Sequence, residues 1–400
     1  MPREALEAIM LVGGKGTRLR PLTLSEPKPL LPTAGVPFLT HQLVRAAECG
    51  ITHVVLATSY RAEMFTEAFG DGAALGLSID YVHESSPLGT GGGIRNAASL
   101  LHGGPDDPIV VLNGDILSAH DLPAQVDLHR KREAAVTLHL VEVEDPSRYG
   151  VVPTERGGRV TAFLEKTPHP ATNRINAGCY VFRRSVIDQI PPGRVVSVER
   201  ETFPELIAAD ALVMGYAESA YWLDVGTPEA FVRGSCDLVL GLMPSTAVPH
   251  PAGSDPSPGS AASLGAATSP VAAAEFLLLD HAQVAGDALL SGGTVAGARS
   301  VVSAGAVVHG SVLFDGAVIG VGAVVRDSIV GFGATIDDGA VLDGAIIGDR
   351  AFIGSRNELA RGLRVWPDVR LEPTSVRFST DAEHRSVQGP RRTAGQPLAC

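Results

Sequence analysis

Residues 8–23 read AIMLVGGKGTRLRPLT. The apolar run Ala8–Val12 predicts a strand, and the glycines at 13, 14 and 16 predict a turn directly after it. Without Cβ atoms, Gly13, Gly14 and Gly16 let backbone N–H groups close around an anion. Arg18, Arg20 and Lys28 come next and bring the charge that a polyphosphate needs. In α/β sheets the loop after such a strand is where phosphates bind. Two familiar patterns are excluded. Lys15 is followed by Gly16, so the chain lacks the ending of a P-loop, and Leu19 stands where a dinucleotide fingerprint needs its third glycine.

Working outward, residues 1–240 alternate strand-like and helix-like segments. Val54–Thr58, Ile109–Asn113 and Val136–Val141 read as strands, Thr40–Cys49 and Met64–Phe69 as helices. This alternation predicts an α/β, Rossmann-like domain with a mainly parallel mixed sheet and helices on both faces. Ligands in such sheets sit at the carboxyl ends of the strands, where both the glycine loop and Asn113-Gly114-Asp115 fall.

The chain has 400 residues, room for two or three domains, and a net charge of −12. An acidic chain argues against nucleic acid as a partner, since that needs a basic face. The four cysteines are far apart, which argues against a zinc site or a disulfide framework. Glu4 and Glu7 interrupt the N-terminus, and no apolar stretch is long enough for a signal or a membrane span. The expectation is a reduced, cytoplasmic compartment with no membrane partner.

Residues 244–275 are rich in Pro, Ala, Gly and Ser and read as a linker between a domain at 1–243 and a second, repetitive one. Beyond the linker a 17-residue register sets in. Val301, Val318, Thr335 and Phe352 keep it, as do Val307, Val324 and Val341, and Val312, Ile329 and Ile346. Three short faces per turn make a triangular coil that stacks on itself, with these columns expected inside. A left-handed parallel β-helix over 276–373 is predicted, then a tail at 374–400. Its flat faces suit pairing with a second copy, so a homo-oligomer is expected.

Two carboxylates at separate strand ends, Asp115 and Asp224, can converge on one Mg²⁺, which takes one or two carboxylates with phosphate oxygens and water. Either one alone reads equally well as a turn former. A second glycine cluster, 85–93, precedes a helix-like stretch at Ile94–Leu101 and could approach a flat base. Glu165-Lys166 and Asn176-Ala177-Gly178 offer groups for sugar hydroxyls and a sugar phosphate, although a bare Glu-Lys pair also reads as solvated surface.

Together these segments resemble the nucleotide-sugar pyrophosphorylases over residues 8–240. The 11–23 loop, Pro27-Lys28-Pro29, Pro87-Leu88-Gly89-Thr90, Asn113-Gly114-Asp115, Tyr149-Gly150-Val151, Glu165-Lys166, Asn176-Ala177-Gly178 and the segment around Asp224 carry the likeness in order. Pro27-Lys28-Pro29, the 196–201 stretch and the coil tail are most similar to the mannose-1-phosphate guanylyltransferase branch, and the whole chain to its actinobacterial members. Two departures are Gly91, where many relatives carry Ala, and Thr167, where Pro is usual.

The resemblance implies formation of GDP-mannose and pyrophosphate from GTP and mannose 1-phosphate, with Mg²⁺ held by Asp115 and Asp224. It implies that Leu11, Gly13, Gly14, Gly16, Thr17 and Gly89 contact the nucleotide. Arg18 would steady the triphosphate and Lys28 the reacting phosphates. Asn113, Gly150, Glu165 and Asn176 would hold the sugar, and Lys166 its phosphate. Other readings are a glucose-1-phosphate nucleotidylyltransferase and a catalytically silent subunit that senses GDP-mannose. A second activity, acyl transfer at His309 or His281 of the coil, is a further one.

Overall fold

A computed structural model of the chain describes residues 6–84, 86–167, 170–249 and 275–377. The expected linker at 244–275 and tail at 374–400 therefore lie largely outside the described residues. The first part runs β1 (Leu6–Leu11), β2 (Pro32–Thr33), β3 (Val36–Pro37), α1 (Phe38–Glu48), β4 (Ile51–Thr58), α2 (Ala62–Phe69), β5 (Ser78–His83), α3 (Gly89–Ala97), β6 (Pro108–Asn113) and β7 (Ile116–Ser118). It continues α4 (Leu122–Arg132), β8 (Val136–Glu142), β9 (Gly150–Val151), β10 (Leu164–Glu165), β11 (Arg174–Arg183), α5 (Arg184–Asp188), α6 (Phe203–Ala208), β12 (Val213–Ala217), β13 (Trp222–Asp224) and α7 (Pro228–Val239).

The central sheet has the order β10-β9-β11-β6-β1-β4-β5, with β8 beside β11 and β12 beside β8. β1 pairs in parallel with β4 and β6, and β4 with β5, whereas β11 runs antiparallel to β6 and β8. Period-two alternation sends side chains to two cores. Ile9, Val55 and Val111 face one layer, with Ile94 of α3 and Phe203 of α6. Ala8, Met10, Val54 and Leu56 face the other, with Leu39 and Leu43 of α1 and Phe65 of α2. Burial on both faces explains why these strands read as continuous apolar runs.

In the parallel register Leu11 sits beside Asn113. The glycine loop and the 113–115 turn therefore leave the sheet as neighbours, tied by the Gly114 N–H donating to Leu11 O at 2.9 Å. A Cβ at Gly114 would lie 2.7 Å from that carbonyl oxygen, so no larger residue fits.

From Phe276 the chain winds into three parallel sheets of six, six and five strands, forming a parallel β-helix. The 17-residue register holds: Val301 pairs with Val318, Val318 with Thr335 and Thr335 with Phe352. The interior is filled by the next residue along, which corrects the sequence reading. Val302, Ile319, Ile336 and Ile353 line one inner column, and Val308, Val325, Leu342 and Leu359 another. Val301, Val318, Val307 and Val324 are half-buried and point outward. The third expected column, Val312, Ile329 and Ile346, also points out of the coil but is buried, because it packs on Phe231 and Val239 of α7. Successive strand residues face opposite sides, so a fixed period alone leaves the choice of face open.

Asp315, Asp338 and Asp349 each accept a backbone N–H from the coil before, at 2.9, 2.7 and 3.1 Å. Ser311 and Ser328 do the same for the coil after, at 3.1 and 3.0 Å. These bonds satisfy the corners, where the ladder is interrupted.

Ile319→Ala is expected to lower the unfolding free energy by about 2–5 kcal/mol, and Val318→Ala by less than about 1 kcal/mol. Denaturant titration followed by circular dichroism measures both, and equal losses would contradict this inside–outside assignment.

Candidate active site

Four parallel strands deliver side chains to one cleft of about 500 Å³. β1 leads into Gly13, Gly14, Gly16, Thr17 and Arg18, and β6 into Asn113 and Asp115. Ser59 follows β4 and Glu84 follows β5. Leu11, Lys28 and Gly89 complete the part of the wall foreseen from sequence. Ser59 and Glu84 were not foreseen, although their places just past the carboxyl ends of parallel strands are the signal that could have found them.

The glycine loop is held in shape from inside. Gly16 has φ of 57°, and its carbonyl accepts from Leu19 N at 2.9 Å and from Thr23 Oγ1 at 2.9 Å. Ser59 Oγ donates to Gly13 O. At the other end of the cleft the second glycine cluster is helical from Gly89, earlier than the expected start at Ile94. Its glycines admit the backbone of residues 194–196. A Cβ at Gly89 would lie 2.5 Å from Val196 O, and one at Gly92 2.5 Å from Arg194 O. Gly91 donates to Val196 O at 2.8 Å, and a Cβ there would lie 2.8 Å from Val196 Cγ1, so Gly91 goes with Val196 in this chain. Glu84 sits beneath this helix, where its Oε2 accepts from Leu88 N at 3.2 Å and burial pushes its carboxyl up.

Asp115 and Asp224 are 109 positions apart in sequence and meet in space. β7 and β13 pair antiparallel with Asp224 opposite Ile116, and Val225 N donates to Asp115 O at 2.9 Å. Lys28, itself buried, donates from Nζ to Asp115 Oδ2 at 3.0 Å. A Cβ on Gly226 would lie 2.8 Å from Arg18 Nη2 and 2.9 Å from Asp224 Oδ1, which places the Arg18 guanidinium and the Asp224 carboxylate over one glycine. Burial pushes the Asp224 carboxyl above the usual carboxylate range, and the Asp115 charge pushes it further. Lys28, Arg18 and Lys166 oppose the rise.

Asp224 Oδ1 is buried without a hydrogen-bond partner. A carboxylate oxygen removed from water and given no donor is costly. With a second carboxylate beside it, the pair has the donor set of a hard divalent cation, so these residues fit such an ion.

The expected sugar residues flank this pair on the antiparallel side of the sheet. Glu165 of β10 pairs with Gly150 of β9, and a Cβ on Gly150 would lie 2.9 Å from Glu165 Oε2. Lys166, at φ of 51°, donates its backbone N–H to Tyr149 O at 3.1 Å, and its Nζ lies 3.6 Å from Glu165 Oε1. Asn176 Nδ2 donates to Tyr180 Oη at 2.9 Å, and its Oδ1 accepts from Gly178 N at 3.1 Å. Asn113 Oδ1 is buried and unpartnered. Tyr149 and Trp222 meet edge-on with centroids 5.7 Å apart, and Trp222 Nε1 donates to Ala177 O at 2.9 Å. This aromatic wall was not assigned a role from sequence. In the coil, His309 Nδ1 lies 2.9 Å from Ser291 Oγ, away from the cleft.

A family model for nucleotidyl transferases matches residues 7–239. A mannose-1-phosphate guanylyltransferase of Mycobacterium tuberculosis is 59% identical over 249 residues, 62% of this chain and 68% of that protein. A mannose-1-phosphate guanylyltransferase catalytic subunit beta of Drosophila pseudoobscura is 40% identical over 59% of this chain and 63% of its own length. The chain thus spans about two thirds of the length of these relatives. Among solved structures, HddC from Yersinia pseudotuberculosis superposes with a TM-score of 0.50 at 27% identity, over 57% of this chain and 98% of that one. Among the described residues no helix is long and apolar enough to cross a membrane. A glycine-loop cleft with paired aspartates, inside a stretch matched from end to end, makes this chain a member of the nucleotidyl transferase family.

Proposed function

We propose that the chain forms GDP-mannose and pyrophosphate from GTP and mannose 1-phosphate. The observation that carries this reading is the convergence of Asp115, Asp224, Lys28 and Arg18 at the mouth of the glycine loop. The choice of guanosine and mannose rests on the names of the relatives.

The attacking oxygen belongs to the sugar phosphate and is already anionic, so the reaction asks for no protein nucleophile. It forms a bond to the α-phosphorus of GTP while the bond to pyrophosphate breaks on the opposite side. The obstacle is charge: at about 4 Å, two unit charges repel by roughly 4 kcal/mol at an effective dielectric near 20. Lys28 and Arg18 would put two cations on the triphosphate side, and Lys166, whose side chain is 62% exposed, would meet the sugar phosphate. Gly13, Gly14, Gly16 and Thr17 receive the phosphates, and Leu11 and Gly89 bound the nucleoside. Gly150, Glu165, Asn113 and Asn176 hold the sugar, with Tyr149 and Trp222 as its apolar wall. The family uses a divalent cation. Mg²⁺ held by Asp115 and Asp224 would neutralise phosphate oxygens and orient them. The protein's own part is positioning and charge.

Pyrophosphate release is expected with GTP and mannose 1-phosphate and at least about tenfold less with ATP, UTP or dTTP, or with glucose 1-phosphate, in a coupled assay. A preference for another pair would replace the substrate assignment while leaving the reaction class intact. Asp115→Asn and Asp224→Asn should each lower kcat by about 100-fold or more with the fold retained. Near-normal turnover at limiting Mg²⁺ would overturn the metal assignment.

Asp224→Asn has a second consequence. A carboxyl whose pKa is raised by folding carries its charge at a cost above that pKa, and the cost is gone once the pH falls below the unfolded value. Asp224→Asn should therefore raise the thermal midpoint at neutral pH, with the gain fading below about pH 4. Calorimetry across pH measures it, and a lower midpoint at pH 7 would contradict the origin given for the shift.

A homo-oligomer paired through the coil is part of the proposal, supported by the half-buried outward valines at 301, 318, 307 and 324. Light scattering is expected to return a multiple of the 41.5 kDa chain, and a monomer would refute the pairing.

A further inference from the structure

We propose that Gln42 is a positioning residue for the metal loop, holding the turn at 113–116 so that Asp115 stays beside Asp224. The proposal rests on the reading that those two aspartates hold the divalent cation.

Gln42 lies on α1, outside the cleft wall. Its side-chain amide has two N–H groups, and both are used on one turn. Nε2 donates to Asn113 O at 3.0 Å and to Ile116 O at 2.7 Å. These carbonyls bracket Gly114 and Asp115. The same turn is tied to β1 through Gly114 N and to β13 through Asp115 O, so its backbone is held from three directions. Gln42 supplies the side-chain tie among them, from the helix layer beneath.

The other half of the amide is idle. Gln42 Oε1 is buried without a partner. A buried acceptor left unpaired is unfavourable, so an apolar residue would serve packing better. What the amide provides that an apolar residue lacks is the pair of donors.

Its neighbours extend the grip. Arg45 Nη2, one turn on, donates to His120 O at 2.5 Å, just past β7. His41 Nε2 donates to Thr33 O at 2.9 Å and its Nδ1 accepts from Ser245 Oγ at 2.8 Å, fixing the segment just after Lys28. Adjacent residues of one helix thus hold the two chain segments whose side chains form the Lys28–Asp115 pair. Groups that orient a metal ligand from behind typically cost about 10–100-fold in metal affinity or activity when they are removed.

The test uses the full-length protein with saturating GDP-mannose and Mn²⁺ as the probe, free Mn²⁺ being read by electron paramagnetic resonance. Gln42→Met keeps length and removes both donors, and Gln42→Glu turns a carboxylate toward two carbonyl oxygens. Gln42→Met is expected to weaken Mn²⁺ binding about tenfold, and Gln42→Glu more. kcat should fall in step while the KM for GTP stays within about twofold of wild type. A merely structural role would lower the thermal midpoint and leave Mn²⁺ affinity unchanged. Should Gln42→Met fail to fold, Gln42→Glu, of the same shape, decides in its place. Wild-type Mn²⁺ affinity in the Gln42 variants, with binding lost in Asp115→Asn, would overturn the clamp and keep the metal reading. Wild-type affinity in Asp115→Asn would overturn the metal reading itself.

Discussion

Two carboxylates brought together in a half-dry cleft repel each other, and the architecture around the glycine loop serves to keep them there. Asp115 leaves the end of a central parallel strand, and Asp224 ends a short strand far along the chain. A three-residue antiparallel pairing, β7 with β13, sets them side by side. The strain of that arrangement shows in the Asp224 carboxyl, raised by burial and by Asp115 and moderated by three cations. The same pair has the donor set of a hard divalent cation, whose charge would relieve that repulsion. A site that is unfavourable when unliganded can be held only by a rigid frame. Here the frame is the sheet behind it and α1 beside it.

The rest of the cleft obeys the same logic of close backbone approach. Glycines 89, 91 and 92 let a helix start against the 194–196 backbone, and that contact shapes the cleft where Glu84 and Leu11 lie. Thr90 and Glu199 lock it, since Thr90 Oγ1 donates to Glu199 Oε2 at 2.7 Å and accepts from Val198 N at 3.0 Å. On the other flank, a small cluster of Val141, Val151, Ile175 and Ala177 supports Tyr149 and Trp222. The two flanks differ in chemistry: one is built from glycines and backbone, the other from aromatic side chains.

The coil is joined to this machinery rather than appended to it. Its third face packs on α7 through Phe314 and Phe231, whose centroids are 6.4 Å apart. Gly293 permits the close approach, since a Cβ there would lie 2.7 Å from Cys236 O. Arg364 Nη1 donates to Arg20 O at 2.7 Å, so a late coil touches the segment just past the glycine loop. The segment after the glycine loop and the coil are thus in direct contact.

Local chemistry made much of this legible. A glycine loop after an apolar strand, an Asp after a central strand and a 17-residue repeat are each written in short stretches, because backbone conformation and strand period depend on near neighbours. The family likeness then assembled the separated segments. Ser59, Glu84 and Gln42 escaped notice, since a lone Ser, Glu or Gln carries no pattern and becomes legible only when strand ends and a helix face converge on it. The inner columns of the coil were placed one residue off, since a period of 17 repeats every column equally and only packing on α7 and the coil axis separates inside from outside. Sequence alone determined which residues carry charge, flexibility and repeat. Tertiary structure decided which of them meet, because pairing between strands a hundred residues apart is settled by the collective packing of the whole sheet and by no local stretch.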